Sequence, residues 1–528
     1  MPTSSYLTKN KCQIFTQKGA LVALVALYVT IFLTGILVYR DYGISWDEHD
    51  QVRMANSNYD LIVHWEPQGN NISTQYYYGP LFELVLKYLT GQPDPSILYT
   101  KRHIFTFIAA FCGLLTFGAL ILYVTKKHWL AFWGVLFLFL SPRIFADSFY
   151  NTKDIPFLAF YLVGCLTQIW FLDSPTLPKA ILHGIACAAV IAVRIPALIL
   201  PVLTLVFLVF SLMLNVQNQR VKLLHYFIPG VIFILVVAGG VILFYPILWA
   251  STWLNFKILL QLMGHFAWDG TNFYQGQFIT ATSIPWHYIP VWVAITTPPL
   301  YLLLILIGLG VMATRLVKIR QIRELLQQRN DLLLLSWSFL PWLVVIVMGS
   351  MLYNGWRHMY FIYPGLLLVA LQGLDYLLNL KTHYPRLKQI VLGLLIIAGL
   401  AGPLSFMVRN HPYENLYFNR LAGGSMSEIK QRYDMDYWGL TYRKGLETIL
   451  AQDSRQHILF TSNSPPGKDN LDILPPEQRQ RLEYTSDLQT ADYYLGNYLT
   501  HPGEYPFPDE IYTIEIGGAK ILTVFKLR

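Results

Sequence analysis

Apolar runs recur along this chain at a length that only a lipid bilayer demands. Eleven can be marked, at 20–38, 103–125, 129–146, 156–172, 180–193, 196–214, 227–248, 288–313, 332–351, 358–378 and 389–407. A helix needs about 20 apolar residues to cross a hydrocarbon core about 30 Å thick, since each residue advances it by about 1.5 Å. Within that core each backbone N–H and C=O has to be satisfied inside the segment. The chain has 528 residues and is only 13% charged, against roughly 25% in an average globular chain. It reads as a polytopic α-helical membrane protein with about eleven transmembrane helices. The stretch 180–214 would be about 50 Å long as one helix, too long for one crossing. Two crossings with a turn at Arg194-Ile195-Pro196 fit better, the first of them short.

The formal charge of +8 would suggest nucleic acid in a soluble chain, but its distribution does not. From Arg409 onward there are 13 Lys and Arg against 16 Asp and Glu, a net of −3, which leaves +11 for the rest. Much of that excess lies in short loops: Lys9, Lys11 and Lys18; Lys126 and Lys127; Arg220 and Lys222; Arg315, Lys318, Arg320, Arg323 and Arg329; Lys381, Arg386 and Lys388. Basic short loops mark the cytoplasmic side. The alternate loops carry Asp41, Asp47, Glu48, Asp50, Asp60, Glu66, Asp94, Asp147, Asp154 and Asp269 and face outward. The expected topology has a cytoplasmic N-terminus and an odd number of spans. The tail is then outside, periplasmic if the membrane is a bacterial inner one. The first apolar run reads as a retained signal anchor, because no small-x-small cleavage site follows it.

Two units are expected, a transmembrane domain at 1–407 and a C-terminal α/β domain at 408–528. In the latter, 457–461 reads as a strand, 440–452 as a helix, and 512–516 with 520–525 as a hairpin around Gly517-Gly518. Two outer loops are long. Residues 39–102 hold Tyr76-Tyr77-Tyr78-Gly79-Pro80 and a short helix near 81–90. Residues 249–287 hold His265-Phe266-Ala267-Trp268-Asp269-Gly270 and Pro285-Trp286-His287-Tyr288. Such aromatic segments suit the bilayer interface, where they could roof a cavity. Cys12, Cys112, Cys165 and Cys187 suggest no disulfide framework, and the last three read as small core residues.

Three polar clusters stand where spans leave the membrane on the outer side. Trp46-Asp47-Glu48-His49-Asp50 follows the first span. Neighbouring side chains diverge by about 100° in a helix, so Asp47 and Glu48 would do different things. Asp147-Ser148-Phe149-Tyr150-Asn151-Thr152-Lys153-Asp154-Ile155-Pro156 precedes the fourth span. Asn151, Thr152 or Asp154 could simply cap that helix, which accounts for one polar residue but not for Asp147, Lys153 and Asp154 together. Tyr353-Asn354-Gly355-Trp356-Arg357-His358 is the third cluster. Arg357 suits a phosphate, since a guanidinium offers parallel donors; the plain alternative is an interfacial anchor. Arg194 interrupts an apolar stretch, and intramembrane arginines usually face polar cavities. The outer histidines show no metal-ligand spacing. The carboxylates could hold a divalent cation, although nothing requires one. There is no P-loop and no dinucleotide-binding glycine fingerprint.

Trp46-Asp47-Glu48, Asn151-Thr152-Lys153-Asp154-Ile155-Pro156, Pro285-Trp286-His287-Tyr288-Ile289-Pro290 and Trp356-Arg357-His358 occur in that order on one face. Together they resemble the GT-C glycosyltransferases, specifically the family 39 group, which includes the protein O-mannosyltransferases and the lipid A aminoarabinose transferase. The resemblance spans roughly residues 15–410. It implies a GT-C-like fold and a polyprenyl-phosphate sugar donor, with transfer to a hydroxyl of a protein, lipid or envelope glycan, usually with inversion. It implies Asp47 as the catalytic base, with Glu48 as the second choice; Asp154, from the second cluster, is a further catalytic candidate that could position the acceptor. Lys153, Arg194 and Arg357, with His358 beside it, are implied as phosphate or substrate contacts. The chain departs from the group in lacking a large luminal insert. Its tail segment Asp434-Met435-Asp436-Tyr437-Trp438-Gly439 also matches neither named enzyme. Two other classes fit the composition: a transporter or lipid flippase, and a non-catalytic scaffold whose outer domain binds glycan.

Overall fold

Each of the eleven apolar runs is helical over most of its length in the computed structural model, which describes residues 17–64, 74–217, 223–264, 270–321, 324–325 and 328–528. Lys9, Lys11, Cys12, Glu66, Arg220, Lys222, His265, Phe266, Ala267, Trp268, Asp269 and Arg323 lie outside the described residues. Among those described, nine helices are long and apolar enough to cross a membrane: Gln17–Val38, Pro95–Thr125, Asp154–Asp173, Ile195–Met213, Leu224–Phe244, Pro299–Leu316, Arg329–Val347, Arg357–Asn379 and Pro385–Asn410. A bent pair makes a tenth, and the shorter apolar helix Leu177–Val193 completes the set. The chain is a polytopic integral membrane protein with a small C-terminal sheet domain.

The sequence expectation needs correction at the breaks. The run 129–146 is two helices, His128–Phe139 and Pro142–Tyr150, meeting at 69°. Pro142 lacks an N–H and cannot continue the ladder, but its fixed φ suits the first position of a new helix. The run 288–313 also divides, into Tyr288–Thr296 and Pro299–Leu316. Pro298-Pro299 enforces an extended residue there, and Pro298 has ψ 134°. The turn at Arg194 is as expected, with that residue extended between Leu177–Val193 and the 3-10 turn Ile195–Leu198. Cys112 is exposed on its helix, not in the core; Cys165 and Cys187 are buried.

Helices Pro299–Leu316 and Tyr363–Asn379 pack at backbone contact. A Cβ on Gly308 would overlap the Val369 carbonyl, and one on Gly373 the Leu304 carbonyl. Small residues permit this approach where lipid supplies no hydrophobic drive between helices. The bundle has two polar ends. One holds Lys127 against Asp375 at 2.6 Å, Arg315 against Asp331 at 3.2 Å, and Arg329 against Asp173. The other holds Asp47, Asp154, Arg194 and Arg357.

The C-terminal sheet has five strands in the order β4-β3-β5-β7-β6. These are β3 (Ile458–Ser462), β4 (Leu482–Tyr484), β5 (Tyr493–Asn497), β6 (Glu510–Ile516) and β7 (Ala519–Lys526). β3 is parallel to β4 and β5, while β7 runs antiparallel to β5 and β6. Helix Thr441–Gln452 covers one face, with Tyr442, Leu446 and Ile449 packed on Phe460, Leu495 and Val524. The loop at 249–287 contains a hairpin not foreseen in the sequence, β1 (Thr271–Tyr274) and β2 (Gln277–Thr280). Residues 411–440 lie between the sheet and the bundle: Asn497 of β5 donates to Asp436 at 3.1 Å, and the Met435 N–H donates to the Leu499 carbonyl at 3.2 Å. Leu416, Phe418, Ala422, Tyr433 and Met435 are buried in the main helical core.

Candidate active site

The site begins with a helix start. The Ser45 N–H donates to Glu48 Oε2 at 2.8 Å, half of a capping box that opens helix Glu48–His64. This turns Glu48 inward. It is fully buried, and its Oε1 lies 3.2 Å from His103 Nε2. Asp47, one residue earlier, points elsewhere: its side chain is 31% exposed, and Arg357 Nη1 donates to its Oδ2 at 2.6 Å.

The second cluster is organised by Asn151. Its Oδ1 accepts the Asp154 N–H at 2.8 Å, and its Nδ2 donates to Asp154 Oδ2 at 3.0 Å and Asp147 Oδ2 at 3.1 Å. Asp154 is buried. Arg194 Nη2 lies 2.6 Å from its Oδ1, and Arg357 Nη1 lies 3.6 Å from its Oδ2. Arg357 therefore bridges Asp47 and Asp154, and Asp154 bridges Arg357 and Arg194. Two carboxylates and two guanidiniums form a short alternating row at the ends of four spans.

Arg357 is 1% exposed and lies between aromatic faces, its Cζ 4.5 Å from the Trp438 ring centroid and 5.0 Å from that of Tyr353. Such faces favour a cation electrostatically. Its Nε and Nη2 have no hydrogen-bond partner among the described residues. A buried guanidinium with donors left over is costly unless something anionic or water meets them.

The remaining expected residues fall around this row. Lys153 is buried and donates to the carbonyls of Tyr78 and of Gly79, the latter at 2.8 Å. Burial pushes its ammonium down to about 7. In this arrangement it ties the 78–79 loop to the start of helix Asp154–Asp173. His358 stacks edge-on against Tyr353 with ring centroids 4.6 Å apart. Glu48 is not part of the row, since it faces His103. Among the described residues, no three His, Cys, Asp or Glu side chains gather as a metal ion would need.

Three features were not read from the sequence. Trp438 donates from Nε1 to Asp147 Oδ1 at 3.1 Å while it covers Arg357. Asp147 is also held by the Tyr150 hydroxyl at 2.8 Å. Behind the row, Arg102 pairs with Glu83 at 2.7 Å, and Thr152 donates to the same carboxylate at 2.6 Å. A basic residue just before the apolar run at 103 was the available signal for that pair.

No family model matches the chain, and no curated protein matches it. Among solved structures it is similar to ArnT from Cupriavidus metallidurans in the apo state, with 13% identity, a TM-score of 0.46, and coverage of 96% of this chain and 98% of that one. It is also similar to ArnT of the same organism bound to undecaprenyl phosphate, with 12% identity, a TM-score of 0.44 and the same coverage.

Proposed function

We propose that this chain is a membrane glycosyltransferase. It would move a monosaccharide from a polyprenyl-phosphate donor to a hydroxyl of a protein, lipid or envelope glycan. The observation that carries the reading is Arg357: a buried guanidinium with two unengaged donor atoms, 2.6 Å from the more exposed carboxylate of the row, Asp47. That pairs an anion-binding group with a solvent-reachable proton acceptor at the end of a membrane bundle. A lipid-borne phosphate can arrive there without leaving the bilayer.

In the proposed reaction the acceptor oxygen attacks the anomeric carbon as the bond from that carbon to the phosphate oxygen breaks. The lipid phosphate leaves with the bonding electron pair. Asp47 takes the acceptor's proton as the new bond forms. Arg357 meets the growing phosphate charge with Nε and Nη2, a fork suited to two oxygens, with Arg194 and Lys153 adding positive potential. Asp154 holds both arginines in place. Asp47 then gives up its proton to solvent.

The active end would face the periplasm and the N-terminus the cytoplasm, supported by the basic loops gathering at the other end of the bundle. The bent pair at Ser141-Pro142 is one feature a transporter would share. The grouping of the acids and arginines at one end favours an interfacial enzyme instead.

The test is transfer of radiolabel from polyprenyl-phosphate sugars to membrane acceptors, with wild type and Asp47→Ala at matched expression. Transfer should fall by at least about 10²-fold in the variant. Transfer that survives would move the chemistry to Glu48 or Asp154. No transfer from any donor by well-folded wild type would overturn the reading.

A further inference from the structure

The tail motif Asp434-Met435-Asp436-Tyr437-Trp438-Gly439 stands outside the resemblance, and the structure gives it a place. Asp434 and Phe273 exchange two bonds: the Phe273 N–H donates to Asp434 Oδ1 at 2.9 Å, and the Asp434 N–H to the Phe273 carbonyl at 3.0 Å. Asp436 accepts from the Gly439 and Thr441 N–H groups at 3.1 Å each and from the Thr441 hydroxyl at 2.6 Å. It so starts the helix that covers the sheet. Gly439 takes φ +70°, where glycine is favoured. Between these anchors Trp438 is laid over Arg357.

The same unit grips the loop that carries Asp47. The Ile44 N–H donates to Asn470 Oδ1 at 2.9 Å, and Asn470 Nδ2 donates back to the Ile44 carbonyl at 2.9 Å. The Trp46 N–H donates to the Trp438 carbonyl at 2.9 Å. Arg443 Nη1 donates to the Tyr42 carbonyl at 2.9 Å. A Cβ on Gly43 would lie 2.5 Å from Asn470 Oδ1, so the two segments touch with no room for a side chain. His49, on the far side of Asp47, sits 3.7 Å from Asp469 and 3.4 Å from Asp472. Residues on both sides of Asp47 are thus tied to the C-terminal unit, in addition to the bundle contacts that Ser45 makes with the Tyr150 carbonyl and Glu48 with His103.

From this we infer that the C-terminal unit completes the active site: Asn470 and Trp438 are positioning residues, Asn470 for the Asp47 loop and Trp438 for Arg357 and Asp147. The inference rests on the glycosyl-transfer reading for its kinetic consequence, but the clamp itself does not. A displacement of about 1 Å in a reacting group can cost about 10²-fold in rate, so the unit acts on turnover more than on donor binding.

The experiment combines amide hydrogen exchange with steady-state kinetics on the full chain. Asn470→Ala should speed exchange at the Ile44 amide by about tenfold, the scale of one lost hydrogen bond. It should lower kcat by at least about tenfold with donor KM within about twofold. Gly43→Ala, which forces the segments apart without removing a polar group, should do the same. Trp438→Phe keeps an aromatic face and the main-chain bond to Trp46, so it should leave Trp46 exchange unchanged and retain more activity than Trp438→Ala. Unchanged Ile44 exchange in Asn470→Ala, or a wild-type kcat in a variant whose loop has loosened, would overturn the proposal. Accelerated exchange with no transfer by wild type from any donor would sink the glycosyl-transfer reading and leave the clamp standing.

Discussion

Replacing Asp154 by Asn should separate the structural carboxylate of the row from the chemical one. Asp154 is 1% exposed and is, among the described residues, the one ionic partner of Arg194, which is 12% exposed and 2.6 Å away. The amide keeps the shape but removes the charge, and it sets an N–H₂ group or a weaker acceptor toward a buried guanidinium. Removing one partner of a buried pair costs about 3–5 kcal/mol, or roughly 10²–10⁴-fold in the folding equilibrium. Asp47→Asn differs: Asp47 is 31% exposed, and Arg357 retains Asp154 at 3.6 Å. Its cost should stay within about 1 kcal/mol. Thermal unfolding in detergent, followed by tryptophan fluorescence, should therefore show Asp154→Asn well below wild type and Asp47→Asn close to it. Arg194→Gln combined with Asp154→Asn should recover part of the loss, because the double change leaves no unpaired buried charge. Equal stability of the two single variants, or strict additivity in the double one, would refute the reasoning.

Two more outcomes follow from the geometry. Burial pushes the Asp434 carboxyl up to about 7, with the Phe273 N–H and Arg143 opposing the shift. The folded state then holds a proton that the unfolded chain has released above about pH 4, so this stabilisation is complete below about pH 4 and is lost as pH rises toward about 7. Wild type should lose stability relative to Asp434→Asn across that window and run parallel to it above; a flat difference would contradict the assignment. Gly79 has φ +51°, and a Cβ there would overlap the Val193 carbonyl beside Lys153 Nζ. Gly79→Ala should cost more than about 1 kcal/mol and release the Lys153 tie, seen as a lower melting temperature; unaltered melting would show that the loop can yield.

Much of the site's cast was visible in the sequence, because polar residues at the ends of apolar runs are conspicuous against a chain 13% charged. Asp47, Lys153, Asp154, Arg194 and Arg357 were all marked that way. Their roles were less legible. Asp47 and Glu48 are neighbours of the same chemical type, and only the capping bond from Ser45 shows that Glu48 turns inward. Asn151 could be read as a helix cap, but not as the residue that also joins Asp154 to Asp147.

The amino-acid sequence by itself determined the helices, since span length and hydropathy act within some twenty consecutive residues. It also determined the prolines that break them and the hairpin at Gly517-Gly518, which are equally local. Tertiary structure alone decided that Arg357 meets Asp47 across 310 positions and that Trp438 meets Asp147 across 291. It also decided that the tail, which reads as a separate domain, holds the Asp47 loop through Asn470 across 426 positions. Hydrogen bonds and ion pairs act over about 3 Å in space, and no local pattern in the chain records which distant residue the packing will bring that close.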